Sequence, residues 1–503
     1  MDLKYISTRG DAGIKYSPSE AVIKGLADDG GLFVPEYIPK FDVKLSSLVG
    51  KGYKATAYEV LKLFFTDFSK EELMYCIDNA YDDKFDTDLI APLCEHDGQY
   101  FLELFHGPTI AFKDMALSIL PHLLKVSLSK NGIKEKIVIM TATSGDTGKA
   151  ALAAFSDVSD TRIIVFYPKG GVSRIQELQM ITQKGGNTKV IGVKGNFDDC
   201  QSGVKKMFND DALKEDLLKH GYRFSSANSI NIGRLFPQVA YYFYAYIKMI
   251  GEGAIKEGDA LDFVVPTGNF GNILAAYYAK QMGLNIGKLI CASNENKVLY
   301  DFFETGTYDR RRDFILTTSP SMDILISSNL ERLIYHSLDG DHKECAKLMR
   351  DLTEKGVYTV SSSARSKMAD FTGIFATEEQ VADTIRRYYE RSGYVLDPHT
   401  AVAAYAGLQY KDKSPAGSVI ISTASPYKFV GSVLKAIDPS LVADDDFKMA
   451  DRMSRISKVD VPAAINSIRN ANILHDTVCT VEDMENTVRS ELGLTQIELH
   501  GSV

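Results

Sequence analysis

The sequence predicts an α/β protein with open, mostly parallel sheets in two lobes, preceded by an extra N-terminal lobe. Its 503 residues exceed the size at which a single hydrophobic core stops growing, so more than one lobe is expected. From about residue 136 onward, short apolar runs alternate with amphipathic stretches, which is typical of parallel strands joined by helices. The predicted strands are residues 136–140, 162–167, 189–193, 261–265, 288–292 and 418–422.

Most of these runs are continuously apolar, as expected of strands that are covered on both faces. Helical patterns occupy residues 232–249 and 273–282, and each begins just after a loop rich in Gly and Asn. The first hundred residues differ, because charged helical stretches such as 69–81 dominate and strand patterns are few. The predicted domains are an N-terminal lobe (1–98), a catalytic α/β region (99–440) with a smaller lobe inserted at about 130–235 and a helical insertion at about 300–375, and a C-terminal helical extension (441–503).

Composition excludes several classes of function. A formal charge of -9, with 24% charged residues, disfavours a nucleic-acid or anionic-membrane partner. The six cysteines are scattered without CxxC pairs or zinc-ligand spacing, so we expect reduced thiols and no metal site. The first ten residues lack a long apolar run and include Asp2, and the most apolar stretch, 239–250, is interrupted by Lys248. A cytosolic protein without a membrane span is therefore expected.

One lysine stands out by its context. Lys113 lies in the segment HGPTIAFKD, residues 106–114, and two glycine-containing loops follow it along the chain. A lone lysine would mean little, because most of the 57 Lys and Arg residues are expected to be solvated. Pyridoxal phosphate, however, needs both a lysine amine for its aldehyde and backbone N–H groups at a helix N-terminus for its phosphate. The combination indicates an enzyme that holds this cofactor.

The loop at residues 266–272 is the candidate phosphate cradle. It joins a predicted strand to a predicted helix, and its glycines let backbone N–H groups approach an anion. A tight turn with no ligand is the alternative, since such junctions are common and the dinucleotide pattern GxGxxG is absent. The candidate cofactor-binding residues are Gly268, Asn269, Phe270, Gly271 and Asn272.

The loop at residues 143–149 superficially resembles a nucleotide P-loop. That motif requires Gly and Ser or Thr where this chain has Thr143 and Ala150, and Asp146 would repel a polyphosphate, so the NTPase hypothesis is rejected. A hydroxyl-rich helix start containing Ser144 and Thr147 suits a substrate carboxylate instead. A plain helix cap is the alternative.

Two further polar segments are candidates for ligand contacts. Residues 226–234, which include Asn228, Ser229 and Arg234, are dense in small donors and could hold a second anion. A helix entry whose polar groups satisfy one another is the simpler interpretation. Thr423 follows the last strand and would reach the crevice at the carboxyl ends of the strands, where its hydroxyl could meet a pyridine nitrogen. A turn at the end of the strand, with no ligand, is the simpler interpretation of this segment by itself.

In order along the chain, these segments resemble the threonine synthase family, pyridoxal-phosphate enzymes with the tryptophan-synthase-β-like fold. The resemblance covers nearly the whole chain and is to the longer bacterial and fungal branch. One departure is that Ser425, Pro426 and Tyr427 stand where family members often have His-Pro-Ala. The matching motifs are YxSTRG at 5–10, the lysine segment at 106–114, SGDTG at 144–148, SANSINxGR at 226–234, PSMDI at 320–324 and the segment 423–429.

The resemblance implies a cofactor site. Lys113 would form the Schiff base with pyridoxal phosphate, the residues Gly268 to Asn272 would hold its phosphate, and Thr423 would bond the pyridine nitrogen. A neutral hydroxyl partner leaves that nitrogen largely unprotonated and restrains the cofactor as an electron sink.

The resemblance also implies a reaction, the last step of threonine biosynthesis. O-phospho-L-homoserine and water would give L-threonine and phosphate by γ-elimination followed by β-addition of water, with Lys113 as the base for the α-proton. The implied substrate-binding residues are Ser144, Asp146 and Thr147 for the carboxylate and amine, and Asn228, Ser229 and Arg234 for the phosphate.

Two other functions stay open on the sequence alone. A related lyase on the same fold, such as a serine or threonine dehydratase or a β-replacement enzyme, would need no second phosphate site. A threonine-synthase-like protein that binds the cofactor or a partner without turnover is a non-catalytic alternative, against which Lys113, both loops and Thr423 argue. The sequence does not decide between a monomer and a homo-oligomer.

Overall fold

Alternating strands and helices form most of the chain. The computed structural model describes residues 2–11, 13–143, 145–411 and 417–494. The strands are β1 (Tyr5–Ser7), β2 (Phe33–Pro35), β3 (Leu93–His96), β4 (Gln99–Glu103), β5 (Lys136–Ala142), β6 (Thr161–Pro168), β7 (Thr188–Val193), β8 (Tyr222–Ser225), β9 (Leu261–Pro266), β10 (Ile286–Ser293), β11 (Thr307–Asp309), β12 (Val357–Thr359), β13 (Phe371–Phe375), β14 (Ser418–Ser422) and β15 (Val478–Cys479).

The helices begin repeatedly at Ser, Thr, Asn or Asp caps, which accept the free backbone N–H groups of the first turn. They are α1 (Pro18–Lys24), α2 (Gly52–Leu61), α3 (Lys70–Ala80), α4 (Asp114–Leu117), α5 (Leu120–Lys130), α6 (Asp146–Phe155), α7 (Arg174–Ile181), α8 (Phe197–Asn209), α9 (Asp211–Lys219), α10 (Ile232–Leu235), α11 (Pro237–Gly251), α12 (Gly271–Gln281), α13 (Val298–Thr305), α14 (Leu330–Ser337), α15 (His342–Glu354), α16 (Ser362–Lys367), α17 (Glu378–Ser392), α18 (Pro398–Tyr410), α19 (Val430–Ile437), α20 (Asp446–Ser457), α21 (Ala463–Asn466) and α22 (Met484–Leu492).

Two separate sheets organise the molecule. The larger has the strand order β13-β10-β9-β14-β4-β3, and its neighbours are parallel except for the antiparallel pair β3 and β4. The smaller has the order β15-β7-β6-β5-β8 and is parallel throughout. The predicted fold class of open, mostly parallel sheets in two lobes is confirmed. All six predicted strands are present, with bounds that agree within two residues.

Burial explains why these strands could be predicted from the sequence. Every residue of β9 is buried, and β9 lies inside the larger sheet between β10 and β14. Because both faces are covered, its sequence is apolar almost throughout rather than alternating. The carboxyl ends of β9 and β14 lead directly into the loops at 267–270 and 423–425, which is where a ligand site is expected in an open α/β sheet.

The N-terminal residues share one core with the larger sheet's helices. Phe64 stacks on Phe236 with ring centroids 3.9 Å apart, and the Tyr5 ring lies 5.8 Å from the same Phe236. The strand β3 also belongs to the larger sheet, which therefore begins before residue 99. The β3 sequence Leu-Cys-Glu-His lies at a partly exposed sheet edge and carries no continuous apolar run.

Two regions predicted as helical also supply strands. Within residues 300–375, β11 and β12 form an antiparallel pair, and β13 extends the larger sheet beside β10. In the C-terminal extension, β15 pairs with β7 at the edge of the smaller sheet. These strands have two to five residues, too few for a period to show in the sequence. Among the described residues, no helix combines the length and apolar character needed to span a bilayer.

Candidate active site

A cavity of about 820 Å³ collects most of the candidate residues. It lies where the carboxyl ends of β5, β9 and β14 meet, and side chains from both sheets line it. The sequence candidates on its wall are Lys113, Thr147, Asn228, Ser229, Arg234, Gly268, Asn269, Phe270, Gly271, Asn272 and Thr423. Ser144 lies outside the described residues, as does the side chain of Asp146.

Buried polar contacts build the lysine segment. The backbone N–H and the hydroxyl of Thr109 donate to the Asp114 carboxylate at 2.8 and 2.6 Å, and Lys428 Nζ donates to the Thr109 carbonyl at 3.1 Å. Burial raises the pKa of Asp114, against the lowering effect of the hydrogen bonds from Thr109. These contacts fix the turn that precedes α4, and Lys113 is the residue at the start of that helix.

The same segment is fastened to the loop after β14. Phe112 N–H donates to the Thr423 carbonyl at 2.8 Å, and Ser425 N–H donates to the Ile110 carbonyl at 3.0 Å. Ile110 has a φ of 52°, a left-handed conformation that a β-branched residue adopts only under strain. Such strain persists only where surrounding contacts hold it, and it is common at functional sites. The two backbone hydrogen bonds also fix the position of Lys113 relative to Thr423.

The loop before α12 has the geometry of an anion cradle. A Cβ added to Gly268 would lie 2.5 Å from the Ser321 carbonyl oxygen, so any other residue here would force the loop or the Ser321 backbone to shift. Phe270 has a φ of 62° and turns the chain into α12. The first residues of α12, Gly271 and Asn272, line the cavity, so the free N–H groups of the first helical turn lie at the cavity wall. Ser327 Oγ donates to the Gly268 carbonyl at 2.6 Å, and Asn329 N–H donates to the Asn269 carbonyl at 3.1 Å. The carbonyl groups of the loop are therefore bonded to the protein, and its backbone N–H groups are the part that suits a ligand.

Asn272 provides a direct test of whether a phosphate fits this cradle. The hydroxyls of Tyr241 and Tyr242 donate to Asn272 Oδ1 at 2.5 and 2.7 Å, which fixes the amide orientation. Asn272 Nδ2 is then buried without a hydrogen-bond partner among the described residues. Buried donors are normally satisfied, so an acceptor such as a phosphate oxygen fits here.

The loop before α6 is shaped by its threonine and glycines. Thr143 Oγ1 accepts from Gly145 N–H at 2.9 Å and from Gly148 N–H at 3.0 Å. A Cβ at Gly148 would lie 2.4 Å from Thr143 Cγ2, and Gly145 has a φ of 135°. The two glycines are thus required by the tight wrap of the loop around Thr143, and Thr147 follows on the cavity wall.

The segment before α10 carries a buried cation. Arg234 is 4% exposed and donates from Nη1 to the Ala227 carbonyl at 3.0 Å, while its Nε has no partner among the described residues. Burial lowers its pKa to about 10. Asn228 and Ser229 lie beside it on the cavity wall, and Ser229 Oγ donates to Asn228 Oδ1 at 3.3 Å. A buried guanidinium without a carboxylate is costly unless an anion compensates it, so this part of the cavity suits a second anionic group.

Sequence reasoning missed three residues at the lysine. Lys113 Nζ donates to Ser321 Oγ at 3.0 Å, Ser321 N–H donates to His399 Nε2 at 3.1 Å, and His399 Nδ1 lies 2.9 Å from Asp397 Oδ1. Ser321 lies in the matched motif PSMDI at 320–324, from which no contact with Lys113 was predicted, and Asp397-Pro398 reads only as an N-cap followed by proline. Ser321 and His399 both line the cavity.

Comparison with known proteins first defines the class. Residues 4–81 match the family model "Threonine synthase N terminus", and residues 90–425 match "Pyridoxal-phosphate dependent enzyme". The second match covers most of the chain, including Lys113, the Gly268 to Asn272 loop and Thr423. The fold and site therefore define a pyridoxal-phosphate-dependent enzyme.

Individual relatives show which family of pyridoxal-phosphate-dependent enzymes the chain resembles. Threonine synthase from Pseudomonas aeruginosa is 39% identical over 438 residues, which cover 86% of this chain and 90% of that protein. The solved structure of pyridoxal-phosphate-bound threonine synthase from Brucella melitensis has a TM-score of 0.86 at 36% identity and covers 97% of this chain and 98% of that one. This chain belongs to the threonine synthase family.

One group of relatives is longer. Human threonine synthase-like 1 is 41% identical over 432 residues, which cover 83% of this chain but only 58% of that protein. The chain thus spans less than two thirds of the length of these relatives.

Proposed function

We propose that the protein converts O-phospho-L-homoserine and water to L-threonine and inorganic phosphate. Family membership supports the reaction type, and the cavity supplies a lysine, an anion cradle and a second anion site within one space. The observation that carries the choice of substrate is Arg234, a buried guanidinium that lines the cavity and forms no salt bridge with a described residue.

The cofactor fits the residues around Lys113. When bound, pyridoxal phosphate supplies an electron sink for the negative charge that develops on the substrate. Gly268 to Asn272 would hold its phosphate through backbone N–H groups and Asn272 Nδ2, and Thr423 would meet the ring nitrogen. Lys113 Nζ would hold the aldehyde carbon at rest and would accept the α-proton once the substrate amine has replaced it.

The substrate would lie between the two lobes. Its carboxylate would meet the N-terminus of α6, where Ser144, Asp146 and Thr147 lie in sequence, and where backbone N–H groups favour an anion. Its phosphate would meet Arg234, with Asn228 and Ser229 as neutral donors. Exclusion of bulk water by this cavity would strengthen each of these charge-assisted contacts.

The test is release of phosphate by the cofactor-loaded protein. O-phospho-L-homoserine should give equal amounts of phosphate and L-threonine, whereas L-serine and L-threonine should give no keto acid at comparable rates. Keto acid from unphosphorylated amino acids would instead identify a dehydratase. Bound cofactor without turnover of any of these compounds would identify the non-catalytic alternative.

Lys113→Ala is the matched control for that assay. It should keep weak cofactor binding through the cradle at Gly268 to Asn272 and lose turnover. Borohydride reduction followed by peptide mapping should place the cofactor on Lys113 in the parent protein, and its appearance on another lysine would defeat the assignment.

A cytosolic location is part of the same proposal. All six cysteines carry free thiols, which suits a reducing compartment. Imaging of the tagged full chain in its own cell tests the location, and sedimentation of the purified protein decides between a monomer and a homo-oligomer.

A further inference from the structure

The ε-amine of Lys113 lies against a hydroxyl from a distant part of the chain. Lys113 Nζ donates to Ser321 Oγ at 3.0 Å, although 208 positions separate the two residues. Ser321 lies in the short turn Pro320–Met322, and its carbonyl is the group that would clash with a Cβ at Gly268. Ser321 therefore lies between the lysine and the phosphate cradle.

A buried imidazole fixes the backbone of Ser321. Ser321 N–H donates to His399 Nε2 at 3.1 Å. Because a backbone N–H can only donate, Nε2 must carry the lone pair, and the ring proton lies on Nδ1, 2.9 Å from Asp397 Oδ1. His399 is 3% exposed and Asp397 is 1% exposed, so neither side chain is free to reorient into solvent.

The same carboxylate also reaches the backbone beside Lys113. Thr400 Oγ1 donates to Asp397 Oδ2 and accepts from Thr423 N–H at 3.2 Å. The Thr423 carbonyl in turn accepts from Phe112 N–H at 2.8 Å. Asp397 is thus connected to Lys113 by two routes, one through Ser321 to the ε-amine and one through Thr423 to the neighbouring backbone.

A second network supports the turn from its other end. Asp323 Oδ1 accepts from Asn294 Nδ2 at 2.8 Å and from Asn296 Nδ2 at 2.9 Å, and Thr317 Oγ1 donates to it at 2.7 Å. The turn therefore stays anchored when the contact to His399 is removed, and a variant at His399 reports on the position of Ser321 rather than on folding of the segment.

We propose that Ser321 is a positioning residue for the Lys113 ε-amine and that His399 and Asp397 act through it. The inference rests on the proposed role of Lys113. When the neutral amine captures the aldehyde of pyridoxal phosphate, a C=N bond forms at Nζ, and the two amine hydrogens leave with the aldehyde oxygen as water. Ser321 Oγ, by accepting one N–H, directs the nitrogen lone pair toward the incoming carbon.

The same contact serves the amine during turnover. Once Lys113 Nζ has taken the α-proton it is an ammonium, and Ser321 Oγ accepts a charge-assisted hydrogen bond from it. The hydroxyl therefore keeps the base in place without competing for the proton, because its oxygen stays an acceptor in both states of the amine.

Ser321→Ala in the full-length protein tests the proposal. After removal and readdition of cofactor, the rate of aldehyde capture at Lys113 should fall roughly tenfold, the scale of one hydrogen bond. Binding of pyridoxine phosphate, which has the ring and phosphate but no aldehyde, should stay unchanged. The control is Ser319→Ala in the same turn, because Ser319 Oγ bonds Asn294 and Thr317 and should leave the capture rate unchanged.

Variants at His399 separate positioning from packing. His399→Gln places an amide oxygen that accepts from Ser321 N–H, so it should recover most of the capture rate, whereas His399→Leu should be as slow as Ser321→Ala. The double variant Ser321→Ala/His399→Leu should be no slower than either single variant, since both act on one contact. Additive losses, or equal rates for the Gln and Leu variants, would overturn the role of His399.

Borohydride trapping with peptide mapping distinguishes the two proposals. Cofactor on Lys113 together with a parental capture rate in Ser321→Ala overturns the positioning role alone. Cofactor on a different lysine overturns both this inference and the proposed site.

Discussion

Two buried arginines, Arg234 on the cavity wall and Arg332 in α14, show how a structural cation differs from one that suits a ligand. Arg332 is fully buried, and its three donor groups are used: Nε donates to the Phe33 carbonyl at 2.8 Å, Nη1 to Asn329 Oδ1 at 2.5 Å and Nη2 to the Ile230 carbonyl at 2.5 Å. Arg234 is 4% exposed but makes one such contact, and its Nε has no partner among the described residues. Burial lowers the pKa of both guanidinium groups to about 10.

The surroundings of the two arginines differ in charge as well. Glu331, next to Arg332, receives two hydrogen bonds from Arg9 at 2.8 and 2.6 Å and one from Thr8 at 2.5 Å. The N-terminal YxSTRG motif thus has a structural role, because Thr8 and Arg9 neutralise a buried carboxylate in the first turn of α14. The region around Arg332 is complete without a ligand, whereas the region around Arg234 has a donor left to use.

Replacing Arg332 should have the largest effect on the stability of the fold. Arg332→Met leaves the Phe33 and Ile230 carbonyls and Asn329 Oδ1 without their donor, and we expect a loss of about 3 kcal/mol or more in the free energy of unfolding. Urea denaturation of the purified protein measures it. A variant as stable as the parent would show that the three contacts contribute nothing net.

Replacing Arg234 should affect the reaction and not the fold. Arg234→Met should lower catalytic efficiency toward O-phospho-L-homoserine by roughly tenfold to a hundredfold, the range for one charge-assisted bond of about 1.5 to 3 kcal/mol. Arg234→Lys should recover part of it, since a point charge cannot form a bidentate contact with phosphate. Kinetics at matched cofactor occupancy, together with urea denaturation, measure both effects.

The comparison with Arg332 also shows which result would contradict a ligand-binding role for Arg234. If Arg234→Met loses stability and keeps its efficiency, Arg234 is a structural cation of the same kind as Arg332. The proposed site for the substrate phosphate would then rest on Asn228 and Ser229 alone.

The contrast between the arginines explains how far the sequence could predict this molecule. The strand β9, buried throughout, and the strand β14, buried except at Ser418, were predictable because their central residues are apolar on both faces. The glycine loops were predictable because close backbone approach demands glycine at Gly268 and Gly148. The strand β4 was missed because it carries Gln99 and Glu103 although it lies inside the larger sheet.

The network behind the lysine could not be predicted from spacing. Ser321, His399 and Asp397 are common residue types in segments far from Lys113, and only the fold brings them to its ε-amine. The satisfied state of Arg332 is likewise a property of three contacts from separate segments, so the sequence alone does not distinguish it from Arg234.

Paired substitutions in the cradle should have a smaller effect. Gly268→Ala places a Cβ 2.5 Å from the Ser321 carbonyl oxygen, whereas the nearest atom to a Cβ at Gly271 is Asn329 Nδ2 at 3.4 Å. We expect Gly268→Ala to weaken cofactor binding by about 1 to 2 kcal/mol, which raises the dissociation constant roughly five- to thirtyfold, because the added Cβ displaces the loop. Gly271→Ala should bind nearly as well as the parent, although valine at either position should block the N–H groups.

Fluorescence titration with pyridoxal phosphate measures these constants. Equal affinities in Gly268→Ala and Gly271→Ala would show that the close approach to Ser321 does not shape the cradle.

The smallest effect concerns pH and the beginning of the lysine segment. His106 Nδ1 lies 2.5 Å from Asp86 Oδ1 and its Nε2 lies 3.0 Å from Glu103 Oε2, and hydrogen bonds and charge from these two carboxylates raise its pKa to about 9, against the lowering effect of burial. Because the folded pKa is raised above the unfolded value of about 6.5, the stabilisation is fully present below about pH 6.5 and is lost as the pH rises through about 9. Asp86 is 58% exposed, so solvent screening limits the effect to about 1 kcal/mol.

The urea midpoint of the parent should therefore fall more than that of His106→Gln between about pH 6 and about pH 10, after the shared titration of other groups is subtracted. Parallel curves for the two proteins would mean that folding does not raise the pKa of His106, and that the lysine segment is held, like the region around Arg332, by contacts that do not titrate in this range.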